Sequence, residues 1–169
     1  MRIENAEGAE FLETVRTLFR EYETNIRVSL CFQGFEEELA SLPGAYAQPS
    51  GRLLVAFDWD EPAGCGAFRQ LENGVCEMKR LFVRPEHQGK AIGAALARAL
   101  IEQAIEAGYS RMRLDTMPSM TRAITMYRAL GFKEIPAYRF NPVPGSMFFE
   151  LWLAEVKFPR KAITTEALK

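Results

Sequence analysis

The sequence predicts a mixed α/β fold: one domain built on a mostly antiparallel central sheet with helices on both faces. Three observations predict it. First, the apolar runs Arg52–Phe57, Gly64–Gln70 and Glu77–Val83 are joined by short polar turns, which reads as an antiparallel meander. Second, the chain then alternates helical and strand patterns in the order β-α-β-α-β. Third, its 169 residues, 48% hydrophobic and 25% charged, suffice for one well-cored domain and require no second.

Each element has its own signal. Arg2–Asn5 reads as a short first strand. From Ala9 to about Tyr22, the residues Phe11, Val15, Leu18, Phe19 and Tyr22 recur at spacings of three and four, which predicts a helix with one apolar face. Phe35 to about Ser41 is a second, short helix, stopped by Pro43-Gly44. Asp58–Pro62 is a turn, and Asn73-Gly74 marks a tight hairpin. A long Ala-rich helix starts near Gly89, runs to Gly108 and packs on the sheet through Ile92, Leu96, Ala99, Leu100 and Gln103. Arg111–Asp115 is a strand, Met120–Leu130 a helix, and Phe132–Ile135 with Phe148–Leu153 a last pair of strands. The domain is expected over 1–156, followed by a polar tail over 157–169.

Composition narrows the function. A formal net charge of −1 supplies no field that would draw the chain to nucleic acid or an anionic membrane. The longest apolar runs are broken by charges before membrane length, and Met1–Asn5 lacks the apolar core of a signal peptide. Cys31, Cys65 and Cys76 are odd in number and widely spaced, so they read as reduced thiols rather than a disulfide frame or metal site. The expected setting is the cytoplasm, with no nucleic-acid, membrane or metal partner.

The chemistry concentrates where the strand ending at Val83 meets the long helix. Small residues at that junction leave the first helical amides open, and the helix dipole stands behind them, so the site suits a phosphate or pyrophosphate. Neither a Gly-Lys-Ser/Thr loop nor a Gly-x-Gly-x-x-Gly spacing is present. The match is to Gln/Arg-x-x-Gly/Ala-x-Gly/Ala, here Gln88-Gly89-Lys90-Ala91-Ile92-Gly93. Downstream, Ala123–Phe132 places Tyr127 on a helix that ends at Gly131 before Phe132 opens a strand. In this order and spacing the two segments resemble the signatures of the GCN5-related N-acetyltransferase (GNAT) family, over roughly residues 50 to 153. The departures are Ala91 for the commoner Gly and Met120 where the family often carries Asn.

The resemblance implies a GNAT-like fold in which the parallel strands ending near Val83 and Asp115 splay to admit acetyl-CoA, the acyl donor. Leu81, Phe82 and Val83 would pair with its pantetheine arm. The backbone of Gln88, Gly89, Lys90, Ala91, Ile92, Gly93 and Ala94 would hold its pyrophosphate. The implied reaction is direct attack of a primary amine, on a small molecule or a peptide, on the thioester. An amine with a pKa of about 10.4 must shed a proton first, at about 4.6 kcal/mol at pH 7. Glu77 matches the family's glutamate base, and unbroken period-two alternation sets it on the same face as Val83. Tyr127 matches the tyrosine that protonates the leaving thiolate. Without the resemblance, Glu77 reads as a solvated or ion-paired strand residue and Tyr127 as a packing residue. For the acceptor, the resemblance points to Asn25–Phe35, including Phe32 and Phe35, and to the Pro-rich loop 136–147, where Tyr138, Arg139 and Phe140 offer an aromatic wall and a cation. His87, with no nucleophilic partner at a recognisable spacing, reads as a solvated loop residue. A non-catalytic acyl-CoA sensor of the same fold is the alternative function, and monomer and homodimer are both open.

Overall fold

The computed structural model describes residues 1–158, the Phe32 side chain excepted. The Phe32 contact and most of the expected tail therefore lie outside the described residues. Seven strands, β1 (Arg2–Asn5), β2 (Arg52–Asp58), β3 (Glu61–Glu72), β4 (Val75–Val83), β5 (Arg111–Thr116), β6 (Lys133–Ile135) and β7 (Met147–Trp152), share one sheet. Their order is β1-β2-β3-β4-β5-β7-β6. Only β4 and β5 pair in parallel; the other neighbours are antiparallel, as expected. The helices are α1 (Ala9–Ile26), α2 (Phe35–Ser41), α3 (Ile92–Glu106) and α4 (Thr121–Ala129).

Strand alternation divides the core into two layers. Leu53, Val55 and Phe57 of β2 face α1 and α2, where Val15, Leu18, Phe19, Phe35 and Leu39 are buried. Leu54 and Ala56 face α3 and α4, against Leu96, Leu100, Ile124 and Tyr127. The apolar face of α1 is the expected one, extended one turn to Ile26. The stripe of α3 is rotated from expectation, because Ala97, Ile101 and Ala104 are buried and Gln103 is not. Small Ala97 and Ala104 let α3 lie close to the sheet. Gly64 instead lets β3 lie close to β4, since a Cβ there would meet the Phe82 carbonyl oxygen at 2.4 Å. Val156 and Phe158 also pack on the α3 layer.

One irregularity decides the geometry of the site. Ala67 faces Lys79 while Cys65 faces Phe82, so three steps along β4 match two along β3. The extra residue forms a bulge in which Arg80 adopts φ +59°. A bulge reverses the alternation of the strand. Cys76 and Met78 face α3 and α4 before it, and Leu81 and Val83 face them after it. Glu77 and Val83 therefore lie on opposite faces, which overturns the expectation drawn from unbroken alternation. Among the described residues, no helix is long and apolar enough to cross a membrane.

Candidate active site

β4 and β5 pair only over Val75–Arg111, Cys76–Met112 and Glu77–Arg113. Beyond that, β4 stays on β3 through Val83 and β5 stays on β7 through Thr116. Each strand is held on its outer edge, so the facing edges diverge into a wedge. This is the splayed pair that the family resemblance implies.

The outer part of the wedge is a cleft at the start of α3. Eight expected cofactor positions line it: Leu81, Phe82, Val83, Gln88, Gly89, Ala91, Ile92 and Gly93. Gly89 (φ +83°) and Ala91 (φ +60°) are both left-handed, which no α-helix accommodates, so α3 starts at Ile92 rather than near Gly89. Its first helical bond runs from the Ala95 amide to the Ala91 carbonyl at 3.0 Å. The amides of Ile92, Gly93 and Ala94 precede that bond and have no acceptor within the helix. With the dipole behind them they form an anion site.

Two expected contacts are placed otherwise. The Gln88 amide donates to the Pro85 carbonyl at 3.2 Å, and the Gln88 side-chain amide donates to the Val83 carbonyl at the same distance. Gln88 thus closes the turn instead of adding an amide to the anion site. The Lys90 ammonium lies 2.5 Å from Asp58 Oδ2 and does not line the cleft. His87 is buried, not solvated, with Nδ1 3.1 Å from the same Asp58 oxygen. Lys90 and His87 hold the Asp58 carboxyl below its ordinary range, and the three side chains brace the loop ahead of α3.

Further in, the wedge narrows to a small pocket of about 60 Å³. Tyr127 reaches its wall, while its ring packs edge-on to Phe132 at 5.7 Å between centroids. Packing and pocket-lining therefore coexist in one residue. Burial pushes its phenol above the ordinary range, so it keeps its proton. Asp115 also lines the pocket and accepts from Arg139 Nη2 and Asn141 Nδ2, both at 3.0 Å. Burial alone would raise this carboxyl; Arg139, with Lys79 and Asn141, outweighs burial and holds it below the usual range.

The bulge turns two consecutive cations, Lys79 and Arg80, toward this pocket. Both donate to Gln33 Oε1, at 3.0 and 2.8 Å. Arg80 is also paired with Glu38, through Nε at 2.8 Å and Nη2 at 3.2 Å. Burial pushes the Lys79 ammonium down to about 8. Sequence reasoning passed over Lys79, Arg80 and Asp115 as site residues, and it gave Gln33 and Asn141 no individual role within the segments assigned to the acceptor. The available signal was a pair of adjacent cations inside an otherwise apolar strand.

Glu77 is placed differently from expectation. Its side chain is fully buried and does not line the pocket. Oε1 accepts from Arg69 and Arg139, each at 3.3 Å. Oε2 accepts from the Tyr138 hydroxyl at 2.7 Å and faces Arg139 Nη2 at 3.1 Å. Three hydrogen bonds and a further close arginine contact fill most of the about four acceptor sites of this carboxylate. So engaged, fully buried and off the pocket wall, it is poorly placed to take an amine proton, which argues against the expected base. Tyr138 spends its hydroxyl on Glu77 and packs its ring on Phe148 at 5.2 Å, so it anchors the 136–147 loop rather than facing an acceptor. Phe35 is 1% exposed in the α1–α2 core, where Arg80 stands over its ring.

The comparisons agree with this geometry. Residues 12–132 match the acetyltransferase (GNAT) family. The chain is 36% identical over 146 residues to an uncharacterised N-acetyltransferase of Schizosaccharomyces pombe, covering 85% of this chain and 90% of that one. A GNAT-family acetyltransferase of Staphylococcus aureus superposes with a TM-score of 0.74 at 19% identity, over 90% of this chain and 98% of that one. The PaiA N-acetyltransferase of Thermoplasma acidophilum, solved in complex with coenzyme A, gives 0.69 at 20% identity, over 90% and 99%. The overall fold is thus shared with these structures, and the sequence match fixes the lineage: the chain belongs to the GNAT acetyltransferase family.

Proposed function

We propose that this protein is an acetyl-CoA-dependent N-acetyltransferase acting on a small primary amine by direct transfer. The observation that carries the reading is the continuity of the wedge. It joins an anion-binding helix start to a pocket walled by a buried, protonated tyrosine. The residues present fit the donor: amides without an intrahelical acceptor for a pyrophosphate, an unpaired β4 edge for the amides of an extended arm, and an apolar throat at Leu81 and Met120.

When bound, acetyl-CoA supplies an acetyl group activated as a thioester. Ile92, Gly93 and Ala94 hold the phosphates through their amides, and the β4 edge aligns the arm. Asp115, fixed by Arg139 and Asn141, accepts a hydrogen bond from the acceptor nitrogen and orients it. The ammonium first sheds one proton to solvent; the C–N bond then forms and the C–S bond breaks, Tyr127 gives its proton to sulfur, and the second proton lost by the nitrogen restores the phenol. Glu77 is a positioning residue that ties β3, β4 and the 136–147 loop together. Tyr127 on the pocket wall favours turnover over a sensor that only binds acyl-CoA. The test is free-thiol release from acetyl-CoA across a panel of small primary amines. Amine-dependent release is expected; saturable acetyl-CoA binding with no release for any amine would leave a binding module instead.

A further inference from the structure

We propose that the acceptor is an amino acid, bound as a zwitterion with its carboxylate on Lys79 and its amine on Asp115. The proposal rests on the acetyltransferase reading and names the substrate class of the same pocket.

Lys79 carries the argument. Its side chain is 3% exposed and lines the pocket, yet among the described residues its one hydrogen bond goes to a neutral amide, Gln33 Oε1. An ammonium has three donors, so two remain. The nearest carboxylate oxygen, Glu77 Oε1, is 3.7 Å away and already accepts from two arginines. Arg80 is different: its charge is met in a two-point pair by Glu38. In the linked cluster behind the pocket, Arg69, Lys79, Arg80 and Arg139 face Glu38, Glu77 and Asp115, leaving one positive charge in excess. Glu77, at 3.7 Å and shared with two arginines, compensates the buried ammonium poorly, and a ligand's carboxylate would complete the pairing.

Asp115 supplies the opposite pole. Each of its oxygens takes one donor, from Arg139 and Asn141, and each keeps acceptor capacity. Between the two poles the walls are apolar, including Ile26, Leu114, Met117 and Val143. A polyamine would set a second cation against Lys79 and Arg80, and a simple monoamine would leave Lys79 unpaired. An amino acid satisfies both poles at once. The outcome is that of the transfer described above: ammonium and thioester become amide, thiol and one released proton.

The experiment measures acetyl-CoA-dependent thiol release by the full chain with free amino acids, ω-amino acids among them, and with their carboxamides. At least one amino acid is expected to exceed its own amide in kcat/KM by about 10- to 100-fold, the worth of one charge-assisted contact. Lys79→Met should bring that ratio close to one, and Lys79→Arg should restore part of it. If Lys79→Met does not fold, the acid-to-amide ratio of the unaltered protein decides alone. Equal use of acid and amide, or transfer only to amines without a carboxylate, overturns the proposal while the acetyltransferase reading stands. So does a thermal shift with acetyl-CoA but no acetylated amino acid. No response to acetyl-CoA at all would overturn that reading and the proposal with it.

Discussion

Replacing Glu77 by Gln separates a base from a structural anchor. Glutamine keeps the shape and can still accept from Tyr138, but it removes the one negative charge that Arg69, Arg139 and Lys79 share. Breaking a buried pair by removing one partner costs about 3–5 kcal/mol. Arg69 and Arg139 are 31% and 24% exposed on their side chains, so water screens part of the loss. A cost of about 2–4 kcal/mol remains. At about 2–4 °C per kcal/mol for a domain of this size, the melting temperature should fall by roughly 4–16 °C. Thermal unfolding with a matched pH–rate profile below the transition is the assay. The anchor role predicts a lowered midpoint and a profile parallel to that of the native protein. An unchanged midpoint, with activity lost mostly at low pH and regained as pH rises, would make Glu77 the base and refute this account.

Other outcomes follow from the same geometry. Tyr127→Phe keeps the packing against Phe132 and deletes the proton donor; turnover should fall roughly 10²-fold with acetyl-CoA affinity unchanged, as single-turnover kinetics and titration would show. Ala91 holds a left-handed conformation that costs an L-residue about 1–2 kcal/mol, against about 0.5–1 kcal/mol of extra chain entropy for glycine. Ala91→Gly should therefore raise the midpoint by a few degrees, read by thermal unfolding. Lys79, surrounded by Glu77, Arg69, Arg80 and Arg139, has its folded pKa lowered to about 8 by burial, below an unfolded value of 10.5. The folded state thus binds fewer protons between those values, so this group's penalty is complete below about pH 8 and is relieved as pH climbs toward 10.5. The stability gap between Lys79→Met and the native protein should narrow over that window.

Local features were legible in the sequence, and features assembled across the chain were not. The helix start at Gln88–Gly93 and the Tyr127 helix are contiguous segments, so periodicity, small residues and spacing exposed them. The β4 bulge has no comparable signature: nothing in Lys79-Arg80-Leu81 marks Arg80 as left-handed, and unbroken alternation put Glu77 on the wrong face. Glu77 gains its partners from β3 and from the 136–147 loop, 61 and 62 residues away for Tyr138 and Arg139. That same loop supplies Asn141 and Arg139 to Asp115, which alone in the sequence is an ordinary strand-end carboxylate. Phe35 and Tyr138 were aromatic residues near the right place, but core packing and a hydrogen bond claim them.

The central claim is that acetyl-CoA occupies the wedge with its pyrophosphate on the start of α3. Thermal unfolding at saturating acetyl-CoA, with Gly93→Phe beside the native protein, tests it most directly. A Cβ at Gly93 would lie 3.6 Å from Val83, so a larger side chain extends into the cleft without breaking the helix. At 100 times the dissociation constant, binding stabilises the folded state by about 2.7 kcal/mol, a rise of roughly 5–11 °C. The account predicts that rise in the native protein and its loss in the variant, with the two ligand-free midpoints close together. A native midpoint that acetyl-CoA leaves unmoved, or a shift that Gly93→Phe leaves intact, would contradict it.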